Sequence, residues 1–108
     1  MAWGTTGTTD DELKRIAAVR EYLSGQFPQF SIRDSYDPAR LAQVYRIELD
    51  VPPTTYAAVI STEFLKDNPP SVIGTALASR GLVEHLRASK GADVVVTSWG
   101  VETQESQP

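Results

Sequence analysis

The chain contains no cysteine. Disulfides, thiolate metal sites and cysteine nucleophiles are excluded together. It has a single histidine, His85, too few for a multi-histidine zinc site within one chain. Cations are in the minority, 10 Lys and Arg against 14 Asp and Glu, for a formal charge of −4. With no excess of cations to neutralise phosphates, nucleic acid is not an expected partner. No apolar run approaches the ~20 residues that a membrane-spanning helix needs. The start, Met1-Ala2-Trp3-Gly4-Thr5-Thr6, lacks the basic and apolar regions of a secretory signal. The expectation is a cytoplasmic chain with no membrane partner.

What is present is the composition of a folded protein: 108 residues, 41% hydrophobic and 22% charged. A chain of this length buries roughly two thirds of its unfolded surface, enough for its own core. The expected division is a flexible segment over 1–8, one α+β domain over 9–101 and a disordered polar tail over 102–108.

Thr9 and Glu12 stand at the spacing of a capping box, and Asp10, Asp11 and Glu12 suit the positive end of a helix dipole. Leu13, Ile16, Ala17, Val19 and Leu23 then follow helical spacing, which predicts a helix over 10–24 that stops at Gly25. Phe30, Ile32, Asp34 and Tyr36 alternate with polar residues and predict a first strand. Asp37-Pro38-Ala39-Arg40 is a turn. Leu41, Gln43, Tyr45, Ile47, Leu49 and Val51 alternate with Ala42, Val44, Arg46, Glu48 and Asp50 in a second strand, the first set expected toward the core and the second toward water. Residues 56–65 fit helix and strand periods alike; the Val, Ile, Thr, Tyr and Phe content is taken as strand.

After Asn68-Pro69-Pro70, a second helix is expected from a cap at Asn68 or Ser71 to about Ser89, ending at Gly91. Gly74 and Gly81 inside it cost about 1 kcal/mol each relative to alanine. Either they share a close-packed face with Ala78, in which case alanine at Gly74 overpacks and destabilises, or the helix breaks near Gly81. Ala92-Asp93-Val94-Val95-Val96-Thr97-Ser98-Trp99 is the last strand, and its valines suit a central position. The order is α-β-β-β-α-β, a two-layer sandwich of a mainly antiparallel four-stranded sheet with both helices on one face.

Chemistry is harder to place. No serine stands in a nucleophile motif, and no carboxylate run has calcium-loop spacing, so catalytic residues, metal sites and cofactors are all expected to be none. Asp34 on the core side of its strand and Arg20 within the apolar stripe of its helix are both out of place. A solvent-wetted edge position is taken for them, with an Arg20–Asp34 ion pair as the alternative. Arg20, Asp34, Tyr45 and His85 are the candidate lining of a small-ligand site between sheet and helices. Arg80, Glu84 and Arg87 have the spacing of a solvated salt-bridge ladder. Although α-β-β-β-α is the order of the double-stranded-RNA-binding domain, the stretch Asn68 to Thr75 carries none of that family's lysines. The element order and acidity are loosely similar to those of effector chaperones of bacterial secretion systems, a resemblance that implies an acidic dimer and rests on no motif. Gly74, Ala78, Gly81, Val44 and Trp99 are the candidate interaction surface, although Trp99 is also expected to close one end of the core. The function expected is a non-enzymatic module for a protein partner or self-association; the alternative is a small-ligand sensor or minor enzyme.

Overall fold

A computed structural model describes residues 10–104. Thr9, and with it the capping box, lies outside them, as do Trp3, the expected flexible segment and the last four residues of the expected tail. The elements are α1 (Asp10–Gln26), β1 (Ser31–Asp37), β2 (Ala42–Leu49), β3 (Thr54–Ser61), α2 (Thr62–Asp67), α3 (Pro70–Ser79), α4 (Leu82–Ala88), β4 (Asp93–Val96) and β5 (Val101–Gln104). The class is α+β. The expected sheet of four strands is corrected to five, in the order β1-β2-β3-β4-β5. It is mixed, because β3 and β4 run parallel while the other three pairs are antiparallel. The parallel pair follows from connectivity, since the three helices after β3 carry the chain back before β4 begins.

Helix α1 continues through Gly25 to Gln26, so the expected stop at Gly25 is not used. Arg15 fastens it to its neighbour. Its guanidinium donates to the carbonyls of Leu65 (2.7 Å), Lys66 (3.1 Å) and Asn68 (2.8 Å) at the end of α2 and pairs with Asp11 at 2.9 Å. Those carbonyls have no partner within their own helix, which is why a cation from outside suits them.

The ambiguous stretch divides. Residues through Ser61 are strand, and Thr62 opens α2, with the Ser61 hydroxyl accepting from the Phe64 amide at 3.1 Å. Asn68 closes α2 by donating to the Phe64 carbonyl at 2.8 Å, so it does not cap the next helix; α3 begins after Pro69 with no side-chain cap. The single second helix is also corrected. Gly81 adopts φ +71°, a left-handed conformation that separates α3 from α4.

All helices cover one face of the sheet. Tyr45, Ile47, Ala58, Ile60, Val94 and Val96 point from that face into a single core with Val19, Leu23, Phe64, Ile73, Leu77, Leu82 and Leu86. The alternation read for β2 holds from Gln43 to Glu48 and is corrected at its ends: Leu41 and Val51 lie outside the strand, in the turns, and are exposed, while Ala42, expected toward water, is buried. β5 occupies part of the stretch expected as a disordered tail, pairing Val101 to Gln104 with Val96 to Asp93.

Candidate functional site

The α1–β1 seam unites three of the four candidate ligand residues. Arg20 of α1 pairs with the Asp34 carboxylate and donates to the Ile32 carbonyl at 2.8 Å. Gln43, buried on β2, donates to the other Asp34 oxygen at 2.8 Å. The ion pair held as the alternative forms, and it forms at an edge: β1 ends the sheet and the Arg20 side chain is 42% exposed. Tyr45 stands opposite Asp34 in the ladder, fully buried, and its hydroxyl donates to the Ile16 carbonyl at 2.8 Å. Burial pushes that hydroxyl well above its ordinary pKa of 10.0, against a smaller downward pull from Arg20.

These groups are turned to one another. β1 is an edge strand, and a charge aimed inward from an edge discourages a second chain from extending the sheet there. Asp34 is that charge and Arg20 neutralises it. His85 does not join the cluster: it lies on α4, which packs on β3, β4 and β5. Sequence alone missed Gln43, whose place in the network depends on the β1–β2 register.

The glycine face is internal in part. Gly74 faces Tyr22 of α1, and a Cβ there would meet the Tyr22 ring at 3.7 Å, an ordinary contact with no overpacking. Burial raises the Tyr22 hydroxyl pKa, with Glu84 adding to the shift. Ala78 is exposed on α3, and Gly81 forms the helix break.

The salt-bridge ladder is not formed. Arg80 lies over the Phe64 ring at 5.0 Å, Arg87 over Phe27 at 5.0 Å, and neither pairs with Glu84. Arg80 serves the β4–β5 turn by donating to the Ser98 carbonyl at 3.4 Å.

That turn is tight. The Thr97 amide donates to the Gly100 carbonyl at 2.8 Å, and the Gly100 amide donates back to Thr97 at 3.3 Å. Ser98 donates its hydroxyl to Asp67 of α2 at 2.6 Å, and the Trp99 amide donates to the Thr97 hydroxyl at 3.1 Å. Gly100, at φ +155°, has a conformation that other residues rarely adopt. The indole of Trp99 is 93% exposed, so it does not close the core. Leu41, 64% exposed, lies just before Ala42, which pairs with the last residue of β3, at the same end of the sheet. Its carbonyl is held by the amide and hydroxyl of Thr62, at 3.0 and 2.9 Å.

The fold and these surfaces define an α+β protein with a mixed five-stranded sheet, all its helices on one side and an anchored aromatic at one end. No family model matches the chain, and no curated protein or solved structure matches it. Among the described residues no helix is long and apolar enough to cross a membrane, and no cluster of His, Asp and Glu could hold a metal ion.

Proposed function

We propose that the protein is a non-enzymatic interaction module that docks a protein partner through the β4–β5 tip, with Trp99 as the anchor. The observation that carries this is a 93% exposed indole on a turn held by hydrogen bonds from two other elements. A large apolar side chain in water is unfavourable by itself, whereas aromatic anchors seated in a partner's apolar pocket dominate interface energies. Because the backbone beneath Trp99 is already ordered, docking loses less conformational entropy than it would from a mobile loop. Leu41 at the same end widens the apolar surface. The seam contributes architecture instead of ligand chemistry, since Asp34, Arg20 and Tyr45 already use one another or the backbone.

The test pairs capture with spectroscopy. A partner retained from native extract by the full chain but not by Trp99→Ala is purified and titrated into a Trp3→Phe variant, whose only indole is Trp99. A blue shift of its emission on binding supports the proposal. Retention of the same partners by Trp99→Ala, or an unshifted emission at saturation, overturns it.

A further inference from the structure

The two edges of the sheet are finished differently. At β1 the Ile32 carbonyl is occupied by Arg20 at 2.8 Å, and Asp34 sets a charge against any added strand. β5 carries no such guard. Its sequence, Val101-Glu102-Thr103-Gln104, has neither proline nor lysine. Val101 stands opposite the core residue Val96, so Val101 and Thr103 share the helix side of the strand, and that side bears no charge. Glu102 and Gln104 lie on the open side.

The hairpin also fixes which backbone groups of β5 are spent. Thr97 and Gly100 exchange both amide–carbonyl bonds across the turn. Bonded and non-bonded pairs alternate from there, so Glu102 and Gln104 bond to Val95 and Asp93. The amides and carbonyls of Val101 and Thr103 therefore point away from β4. Among the described residues nothing bonds to them. An extended backbone laid along β5 satisfies all of these groups at once, which is the bonding that strand addition uses.

The side chains define what kind of strand fits. On the open face, which holds Val44 in a row with Val59 and Val95, Arg40 pairs with Asp93 at 2.8 Å and Arg33 with Glu48 at 2.7 Å. Glu102 is exposed and in no ion pair among the described residues. A residue opposite it in an added antiparallel strand belongs to a non-hydrogen-bonded pair, where side chains come closest, so a cation suits that place. Its two neighbours fall beside Val101 and Thr103, where β-branched residues suit. A second copy of the chain fails the same condition. Pairing Val101 with Thr103 of the other copy sets one Glu102 directly against the other, and like charges so placed repel.

We infer that the β5 edge takes up an extended segment of a partner protein as an added strand, with a Lys or Arg opposite Glu102. This mode of docking rests on the reading of the β4–β5 hairpin as a docking element and adds how the partner's backbone is held.

The probe is the capped peptide Thr-Val-Lys-Val-Thr, followed by amide hydrogen exchange in the full chain. At saturation it is expected to slow exchange at Val101 and Thr103 by about tenfold, with little change at Glu102, whose amide β4 already holds. Thr103→Pro removes an outward donor and leaves the bonds to β4 in place, a position where edge strands tolerate proline. It is expected to keep the wild-type circular dichroism spectrum and to weaken peptide binding by about tenfold or more, whereas Thr103→Val, which keeps the amide, binds as wild type does. Glu in place of the peptide's Lys is expected to weaken binding about fivefold, and Glu102→Lys to reverse that preference. The charge exchange decides the matter should Thr103→Pro disturb the fold. Trp99→Ala separates the edge from the anchor: it is expected to bind the peptide as wild type does, even where the indole proves not to hold a partner. Unchanged exchange at Val101 and Thr103 in millimolar peptide, a folded Thr103→Pro that binds as tightly as wild type, or a charge preference that Glu102→Lys does not reverse overturns the inference. A wild type that dimerises where Thr103→Pro stays monomeric gives the edge to a second copy and overturns it too.

Discussion

At the α1–β1 seam the charged and polar groups find partners inside the chain, whereas at the β4–β5 tip the backbone is held from within and the indole is turned to water. Both regions use cross-element hydrogen bonds, but for different ends. Arg20, Asp34 and Gln43 bond to one another and close a sheet edge. Arg80, Asp67 and Ser98 bond so that a residue beside them stays out. The difference teaches that a gathered set of polar side chains is not itself a site. What matters is whether any of its bonding capacity is left for something else.

The sharpest way to break the comparison is at Asp34. Alanine there removes the acceptor of Arg20 and of a buried amide on Gln43, and is expected to destabilise by about 2 kcal/mol. Arg20 is 42% exposed, so water takes up part of the loss and the effect stays below that of a fully buried pair. Urea denaturation measures it. A loss under about 0.5 kcal/mol, the range of an ordinary surface substitution, would mean that the seam does not hold the edge.

The two glycines sharpen the contrast between conformation and space. Gly81→Ala forces a side chain into φ +71° and is expected to lose about 1–2 kcal/mol. Gly74→Ala has room and helical backbone, so it is expected to gain about 0.5–1 kcal/mol, the opposite sign to that expected from sequence. Denaturation midpoints of the two variants should therefore move apart.

Tyr45→Phe removes the hydrogen bond to Ile16 and is expected to lose about 1 kcal/mol at neutral pH. The hydroxyl's pKa is raised by folding, so the folded chain holds that proton more tightly than the unfolded one. Its contribution is complete below the ordinary pKa of 10.0 and is lost as pH rises beyond it. Wild type should weaken above that pH and Tyr45→Phe less steeply. Some slope remains, because Tyr22 is shifted in the same direction. Equal slopes for the two proteins would remove the seam's titrating group.

Much of the seam was legible and little of the tip. The alternation in β2 marks its buried face directly, and Arg20 and Asp34 stood out because each broke a pattern. Their pairing was not legible, since it depends on which strand lies at the edge. Gly81 carried a signal of a break that sequence could not separate from close packing; the positive φ separates them. β5 left no hydrophobic signature. An edge strand paired on one side needs few apolar residues, and Glu102, Thr103 and Gln104 are all exposed. Without β5 the segment Thr97 to Gly100 looks like the end of a strand instead of a turn, so Trp99 was expected to cap the core.

The smallest expected effect on stability belongs to Trp99. Its side chain is almost wholly in water, and the bonds that hold the turn come from Thr97, Ser98, Gly100 and the Trp99 backbone. Trp99→Ala leaves every one of those bonds in place and is expected to change the unfolding free energy by no more than about 0.5 kcal/mol. Asp34→Ala thus spares the indole while weakening the fold, and Trp99→Ala spares the fold while removing the anchor. If Trp99→Ala instead lowers stability by as much as Asp34→Ala does, the indole packs on the chain in solution. The tip would then belong with the seam as architecture, and the contrast between the two regions would be gone.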